Sequence, residues 1–422
     1  MRRLYGTARL GWQAAVEAEG LVYNRTEVPG ADPVSYWRED VFYDFSTTEI
    51  DTLFSATQQL FAACVEAGDR IVASDELLQR MRVPRDCWDV VRRDWEAEPP
   101  SVYGRFDLSW GGEQSGELPK LLEFNADTPT SLVESAVSQW SWHLETGNGL
   151  DQWNRLDEAL IEAWTRNLRL WELRNGRKPH VHLAWTSEDR SGEDQMTVAY
   201  MADCVRRAGY EFTVMTTEQI QLDPGDAYFY DAEGRHLDVV FKLYPWEWLA
   251  EDAFGPSVVA DLRRGGGTTW VEPVYKMLWS NKGLLPVLWQ LFEHDSVLSR
   301  YLLPAYFADD PARLDLVTTG YATKPLLGRE GANVELRAPR SGELLAEAGG
   351  RYGAGGRVWQ QLHPLPDFAG PDGPHHPVLG TWVVDGHPEG MGIRESDGLI
   401  TDNLSHFAPH TIDHHVREAR RP

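Results

Sequence analysis

Two short stretches restrict this 422-residue chain more than any others: Tyr103-Gly-Arg105-Phe-Asp107-Leu-Ser-Trp110 and, after a glycine-rich spacer, Leu121-Leu-Glu123-Phe-Asn125-Ala-Asp127. In each, polar residues alternate with apolar or aromatic ones. Side chains two apart on a strand share a face, so Arg105 points with Asp107, and Glu123 with Asn125. The spacer Gly111-Gly-Glu-Gln-Ser-Gly116 supplies turn chemistry, so the halves can pair as a hairpin. Three oxygen donors and one guanidinium then converge on one patch. Carboxylates that close repel one another without a cation. Hard oxygen donors suit Mg²⁺, which keeps waters and shares its other positions with nucleotide phosphates. The hairpin is therefore read as a metal site for ATP chemistry. Asp127, past the second strand, reads as a turn or helix-cap residue.

A hydrophobic fraction of 42% and an aromatic fraction of 11% exclude wholesale disorder. The length suits roughly two or three domains. Lys+Arg 40 against Asp+Glu 65 gives a net charge of −25, which argues against nucleic acid as a partner and favours a cationic substrate. Lysine occurs only at 120, 178, 242, 276, 282 and 324, so a lysine kept in a glycine-rich or apolar context is a functional candidate. Cys64, Cys87 and Cys204 are too few and too far apart for a disulfide framework or a cysteine metal site. The residues after Met1 are too polar for a signal peptide, and no apolar run approaches the ~18 residues of a membrane helix. A soluble, cytoplasmic protein is expected, with small molecules rather than nucleic acid or membrane as partners.

The expected fold class is α/β (α+β). Residues 1–100 read as a helical N-terminal part, and 101–175 as the metal-binding hairpin with its following helices. Pro129 fits a first helical turn there, and Ser131 with Glu134 has capping-box spacing. Residues 176–262 alternate strand, helix and strand, the pattern of a largely parallel sheet, and read as a substrate-binding-like subdomain. Residues 263–422 are strand-rich and punctuated by glycine and proline. Within them, Tyr321-Ala-Thr-Lys324 delivers a lysine from a strand, and Gly328-Arg-Glu330-Gly331 follows as a loop. Its backbone N–H groups can approach phosphate oxygens. Lys282, in Ser280-Asn-Lys-Gly283, precedes a helix and suits either an anionic partner or a plain surface position. Arg394 lies among glycines near the end of the chain. The histidines at 375–376, 410 and 414–415 match no ligand spacing and are read as incidental.

Together these motifs, with Trp37 to Phe45, Gly392-Ile-Arg394-Glu and Val358-Trp-Gln-Gln361-Leu, resemble the synthetase domain of the glutathionylspermidine synthase family over nearly the whole chain. The resemblance implies an ATP-grasp fold of the permuted, glutathione-synthetase-like type, with 263–422 as the nucleotide-binding lobes and no N-terminal amidase domain. It implies an ADP-forming acid–amine ligase working through an acyl phosphate, with ATP and a pair of Mg²⁺ ions. Asp107, Glu123 and Asn125 would hold the metal. Lys282, Lys324, Gly328, Glu330, Gly331 and Gln361 would meet ATP, the last together with its backbone at the adenine. Arg105, Ser131 and Arg394 would surround the reacting carboxylate, and Glu193 with Asp194 would receive the amine. The acid and amine stay open. Glutathione with spermidine is the first alternative, and a catalytically silent ATP-binding protein the second.

Overall fold

The computed structural model describes residues 1–26, 30, 32–189, 191–350, 352 and 355–413. His414 and His415 lie outside them. In chain order the principal elements are β1 (Arg2–Tyr5), β2 (Val41–Phe45), α1 (Thr47–Val72), β3 (Tyr103–Ser109), β4 (Lys120–Asn125), α2 (Gln139–Thr146), α3 (Leu156–Asn175), β5 (Val181–Trp185), α4 (Glu193–Arg207), β6 (Phe212–Thr216), β7 (Val239–Leu243) and β8 (Thr269–Val271). There follow α5 (Leu284–Phe292), β9 (Ala305–Phe307), β10 (Tyr321–Pro325), β11 (Glu335–Arg337), β12 (Leu344–Glu347), β13 (Arg357–Gln361), β14 (His376–Val384), β15 (His387–Ser396), β16 (His406–Ala408) and β17 (His410–Ile412).

The hairpin forms as the alternation requires. β3 and β4 pair antiparallel, with Arg105 opposite Asn125 and Asp107 opposite Glu123. Phe106 and Phe124 stack on the other face at 3.9 Å. Gly104 makes room for that packing, since a Cβ there would sit 2.8 Å from the Phe124 ring. The hairpin is the edge of a five-stranded antiparallel sheet, β16-β15-β14-β3-β4. That sheet joins it to residues 376–408, so 101–175 is not set apart from 263–422 as the sequence division has it. Flanked by β14 and β4 in a sheet that α1 packs against through β14 and β15, β3 is buried along its whole length.

The alternating region gives the parallel sheet β8-β7-β5-β6. A second antiparallel sheet, β9-β13-β10-β11-β12, carries the Lys324 strand at its centre. α1 begins at a capping box of Ser46 and Glu49 and buries Leu53, Ala56, Leu60, Ala63, Cys64, Ala67 and Ile71, one face at helical spacing.

The N-terminal part carries helices as expected, but strands stand among them: β1 and β2 precede α1, and β2 also pairs with β17 from the far end of the chain. A helix does begin directly after Ser131, with the Ser135 N–H donating to the Ser131 carbonyl, but the Ser131–Glu134 capping box does not form. Ser131 has φ +66°, a π-helical turn spans Glu134–Ser138, and the Ser131 and Glu134 side chains both turn to Tyr36.

Candidate active site

A cavity of about 320 Å³ lies between the two antiparallel sheets. Its apolar end is formed by side chains such as Ala322, Val334, Leu336, Leu362 and Ile400; its polar end holds Arg105, Asp107, Glu123, Lys282, Lys324 and Arg394. Residues from β3, β4, β10 and β15 thus meet in one place although they span most of the chain.

The hairpin charges are balanced internally. Arg105 donates from Nε to Asp107 Oδ1 at 2.7 Å, and from Nη1 to the Thr130 carbonyl. Arg394 donates to Asp107 Oδ2. Arg105 and Asp107 are each 3% exposed. Lys282 Nζ stands 3.0 Å from Glu123 Oε2 and donates to the Gly328 carbonyl at 2.6 Å. Asn125 donates its amide N–H to Glu123 Oε1 at 3.0 Å, which leaves its amide oxygen for another partner. Burial opposes ionisation of Glu123, but Lys282 and Lys324 outweigh it and hold the carboxyl well below its ordinary range. The cations expected to answer the clustered oxygens are here arginines and lysines of the chain itself. Among the described residues no group of three His, Cys, Asp or Glu side chains could hold a metal ion.

Lys324 donates to the Leu122 carbonyl at 3.0 Å and to Gln360 Oε1 at 2.8 Å. Burial, with Lys282 nearby, brings its ammonium down to about 8. Gln360, 2% exposed, also donates to the Leu121 carbonyl. Sequence reading passed over Gln360 in favour of Gln361; the signal was a glutamine on the same strand face as Val358, where an apolar residue is the rule. Gln361 does line the cavity, but its backbone N–H is spent on the Pro304 carbonyl and that of Leu362 on Gly320. The expected backbone approach to adenine therefore has no free N–H at these two residues. Gly331 has φ +68°, and a Cβ there would lie 2.5 Å from the Thr401 carbonyl, so only glycine lets the loop close onto the 399–401 segment. Glu330 accepts from Asn403 at 2.6 Å.

Asp127 does not cap the helix that follows it in sequence. It is fully buried, accepts from Lys242 Nζ at 2.7 Å and from the Trp246 backbone at 2.8 Å, and so ties the end of β4 to the parallel sheet. Lys242 and the buried Lys276 belong to such scaffold contacts. Of the histidines, His410 is buried between Gln139 and the Trp153 backbone, and His375 contacts Asp372.

A second group of acids lies near the cavity-lining Thr130, Arg329 and Glu330 without lining the cavity itself. Asp189 is spent on the start of α4, accepting from Ser191, Gly192 and Asp194 backbone N–H groups. Glu193 and Asp194 have no ion-pair partner among the described residues. Burial, reinforced by Glu134, Asp194 and Glu330, pushes Glu193 up to about 8. Burial and Asp189 push Asp194 up to about 7. Ser131 is 3% exposed and follows the cavity-lining Thr130. Tyr36 and Glu134, both in contact there, were not singled out from sequence as site residues.

A family model described as "Glutathionylspermidine synthase preATP-grasp" matches residues 3–413. A Haemophilus influenzae protein named "Putative acid--amine ligase" is 36% identical over 391 residues, covering 91% of this chain and 92% of its own. The bifunctional glutathionylspermidine synthetase/amidase of Escherichia coli is 27% identical over 94% of this chain, which spans 61% of that protein's length. The trypanothione synthetase of Crithidia fasciculata is 27% identical over 83% of this chain and 53% of its own length. A solved glutathione synthetase-like effector from Globodera pallida superposes with a TM-score of 0.57 at 12% identity, covering 96% of both chains, so the fold is of that ATP-grasp type. The chain belongs to the glutathionylspermidine synthase family.

Proposed function

We propose that this protein is an ATP-dependent, ADP-forming carboxylate–amine ligase that makes an amide through an acyl phosphate. The observation that carries the reading is the one cleft in which Arg105, Arg394, Lys282 and Lys324 surround Asp107, Glu123 and Asn125, close to Glu193 and Asp194, which have no ion-pair partner among the described residues. Phosphoryl transfer is catalysed mainly by positioning and charge neutralisation, and four cations in a largely buried cleft supply both.

Asp107, Glu123 and the amide oxygen of Asn125 fit a hard divalent cation, and would hold Mg²⁺. When bound, the metal neutralises charge on the transferring phosphate. Lys324 and Lys282 bind phosphate oxygens, and Lys282 also tethers the Gly328–Gly331 loop. The apolar end of the cavity takes the adenine beside Gln361. Arg105 and Arg394, already paired with Asp107, orient the acid for in-line attack. The amine enters beside Glu193 and Asp194.

The acid pair carries a pH prediction. A raised carboxyl pKa means each group is protonated below that value and becomes an anion above it. The ligand-free site thus gains negative charge as pH rises through 7 to 8, while a primary ammonium stays charged. Spermidine binding, followed by calorimetry at fixed ionic strength, is expected to tighten roughly tenfold or more between pH 6 and 8.5. Glu193→Gln should flatten that dependence. A pH-independent affinity in the unaltered protein would sink the assignment of this pair to the amine.

The function itself is tested by ADP release over a panel of acids crossed with amines, with glutathione and spermidine first because the Escherichia coli relative's name contains both. Lys324→Ala serves as the control. Release that requires both an acid and an amine is the expected result. Binding of Mg-ATP with no stimulation by any pair, hydroxylamine included, would favour the silent reading instead.

A further inference from the structure

Ser131, which the resemblance sets beside the reacting carboxylate, forms a hydrogen-bonded chain with Tyr36 and Glu134, two residues given no role above. Tyr36 Oη lies 3.1 Å from Ser131 Oγ and donates to Glu134 Oε1 at 2.7 Å. The three residues are 6%, 3% and 0% exposed in the order Tyr36, Ser131, Glu134. Donor bookkeeping fixes the polarity of the chain. An ionised carboxylate only accepts, and a phenol has one proton. The Tyr36 proton therefore goes to Glu134, and Tyr36 accepts from Ser131. Ser131 Oγ then has no proton left to give, so toward a ligand it can act only as an acceptor.

The chain adjoins the cavity through Thr130, which lines it and directly precedes Ser131. Ser131 is held at φ +66°, a strained position for a residue with a Cβ, directly after Thr130, whose carbonyl takes the Arg105 guanidinium. Glu134 feels Arg105 and Arg394 on one side and Glu193 of α4 on the other. Its second oxygen, Oε2, is buried without a hydrogen bond. A buried carboxylate with one unpartnered oxygen is poorly stabilised as an anion, and burial raises its proton affinity accordingly.

We propose that Ser131, Tyr36 and Glu134 are a proton relay that removes the proton from the attacking amine. The proposal rests on the ligase reading above. The nitrogen lone pair of the free-base amine attacks the acyl carbon of the acyl phosphate and the C–N bond forms. The C–O bond to phosphorus's oxygen breaks, and phosphate leaves with the electron pair. The nitrogen's proton passes to Ser131 Oγ as the Ser131 proton moves to Tyr36 Oη and the Tyr36 proton to Glu134 Oε1. One proton leaves nitrogen, one arrives on Glu134, and the two hydroxyls end as they began. Ser131 is the catalytic residue; Tyr36 and Glu134 act through it.

The test compares two nucleophiles in the full chain: spermidine, whose strongly basic nitrogen needs a base to take its proton as the C–N bond forms, and hydroxylamine, whose far less basic nitrogen sheds that proton to water and attacks acyl phosphates readily. Glutathione is the acid, or whichever acid and amine the ADP-release panel identifies. Tyr36→Phe and Glu134→Gln each remove one link with almost no change in volume. Each is expected to lower the ratio of amine-supported to hydroxylamine-supported kcat by about 10²-fold or more. Raising the pH should recover part of the loss in the variants as solvent base substitutes for the relay. A structural role would depress both nucleophiles together and leave the ratio unchanged, which overturns the relay, as does undiminished amine turnover in Tyr36→Phe. An unaltered protein that releases no ADP with any acid, amine or hydroxylamine removes the ligase reading itself, and the relay with it.

Discussion

Lys324→Met is expected to lower acid- and amine-dependent ADP release by about 10²–10³-fold, the usual cost of deleting one preorganised charge from a transition-state site. The lysine is 8% exposed and aimed by the Leu122 carbonyl and Gln360. Methionine fills nearly the same volume, so the thermal melt should change little while turnover collapses. The same site gives an alkaline limb. A lysine whose pKa is lowered to about 8 carries its charge below that pH and loses it above, so turnover should decline as pH passes 8. Bound phosphate would move that limb upward. ADP release within about threefold of the parent would refute the phosphate role, since a single neutralising contact is worth far more. Coupled ADP measurement, with Mg-ATP affinity by calorimetry alongside, separates lost binding from lost chemistry.

The second large effect is on stability. Asp127→Ala is expected to cost about 3–5 kcal/mol, because it strands the Lys242 ammonium in a buried site. The pair is 0% and 1% exposed at the side chains, and once the carboxylate is gone Lys242 keeps a hydrogen bond to the Tyr244 carbonyl and the face of the Trp246 ring but no ion-pair partner among the described residues. Burial already depresses the Lys242 pKa against the attraction of Asp127, so the stranded lysine should fold neutral. The companion Asp127→Leu/Lys242→Met removes both charges and should recover most of the loss, since two apolar groups leave nothing unpaired. Urea denaturation midpoints of the single and double variants check this. An Asp127→Ala midpoint close to the parent's would mean that water reaches the pair.

The hairpin was legible because strand periodicity needs only local sequence. Arg105, Asp107, Glu123 and Asn125 fall on one face for that reason, and the register pairs them as expected. The parallel sheet was legible for the same reason: each strand and helix carried its own period. Glycines announced the 328–331 turn. What stayed hidden depends on partners distant in sequence. β2 looks like part of a helical region until β17 is there to pair with it. Asp127 looks like a cap until Lys242, from the neighbouring sheet, reaches it. Glu134 has capping-box spacing from Ser131, yet the left-handed Ser131 turns both side chains to Tyr36. Gln360 reads as a neighbour of the adenine-facing Gln361 until Lys324 lies beside it.

The sequence by itself determined the chemistry available to this protein: which side chains carry charge, which pairs share a strand face, and which loops can approach a phosphate. Those follow from periodicity and residue type, which act over a few residues. Only the tertiary structure decided how the charges are spent. It gave Asp107 to two arginines from different strands and Glu123 to Lys282. It also left Glu193 and Asp194 without an ion-pair partner among the described residues. Burial and proximity set proton affinities and ion pairing, and both are properties of the packed sheets rather than of any one segment.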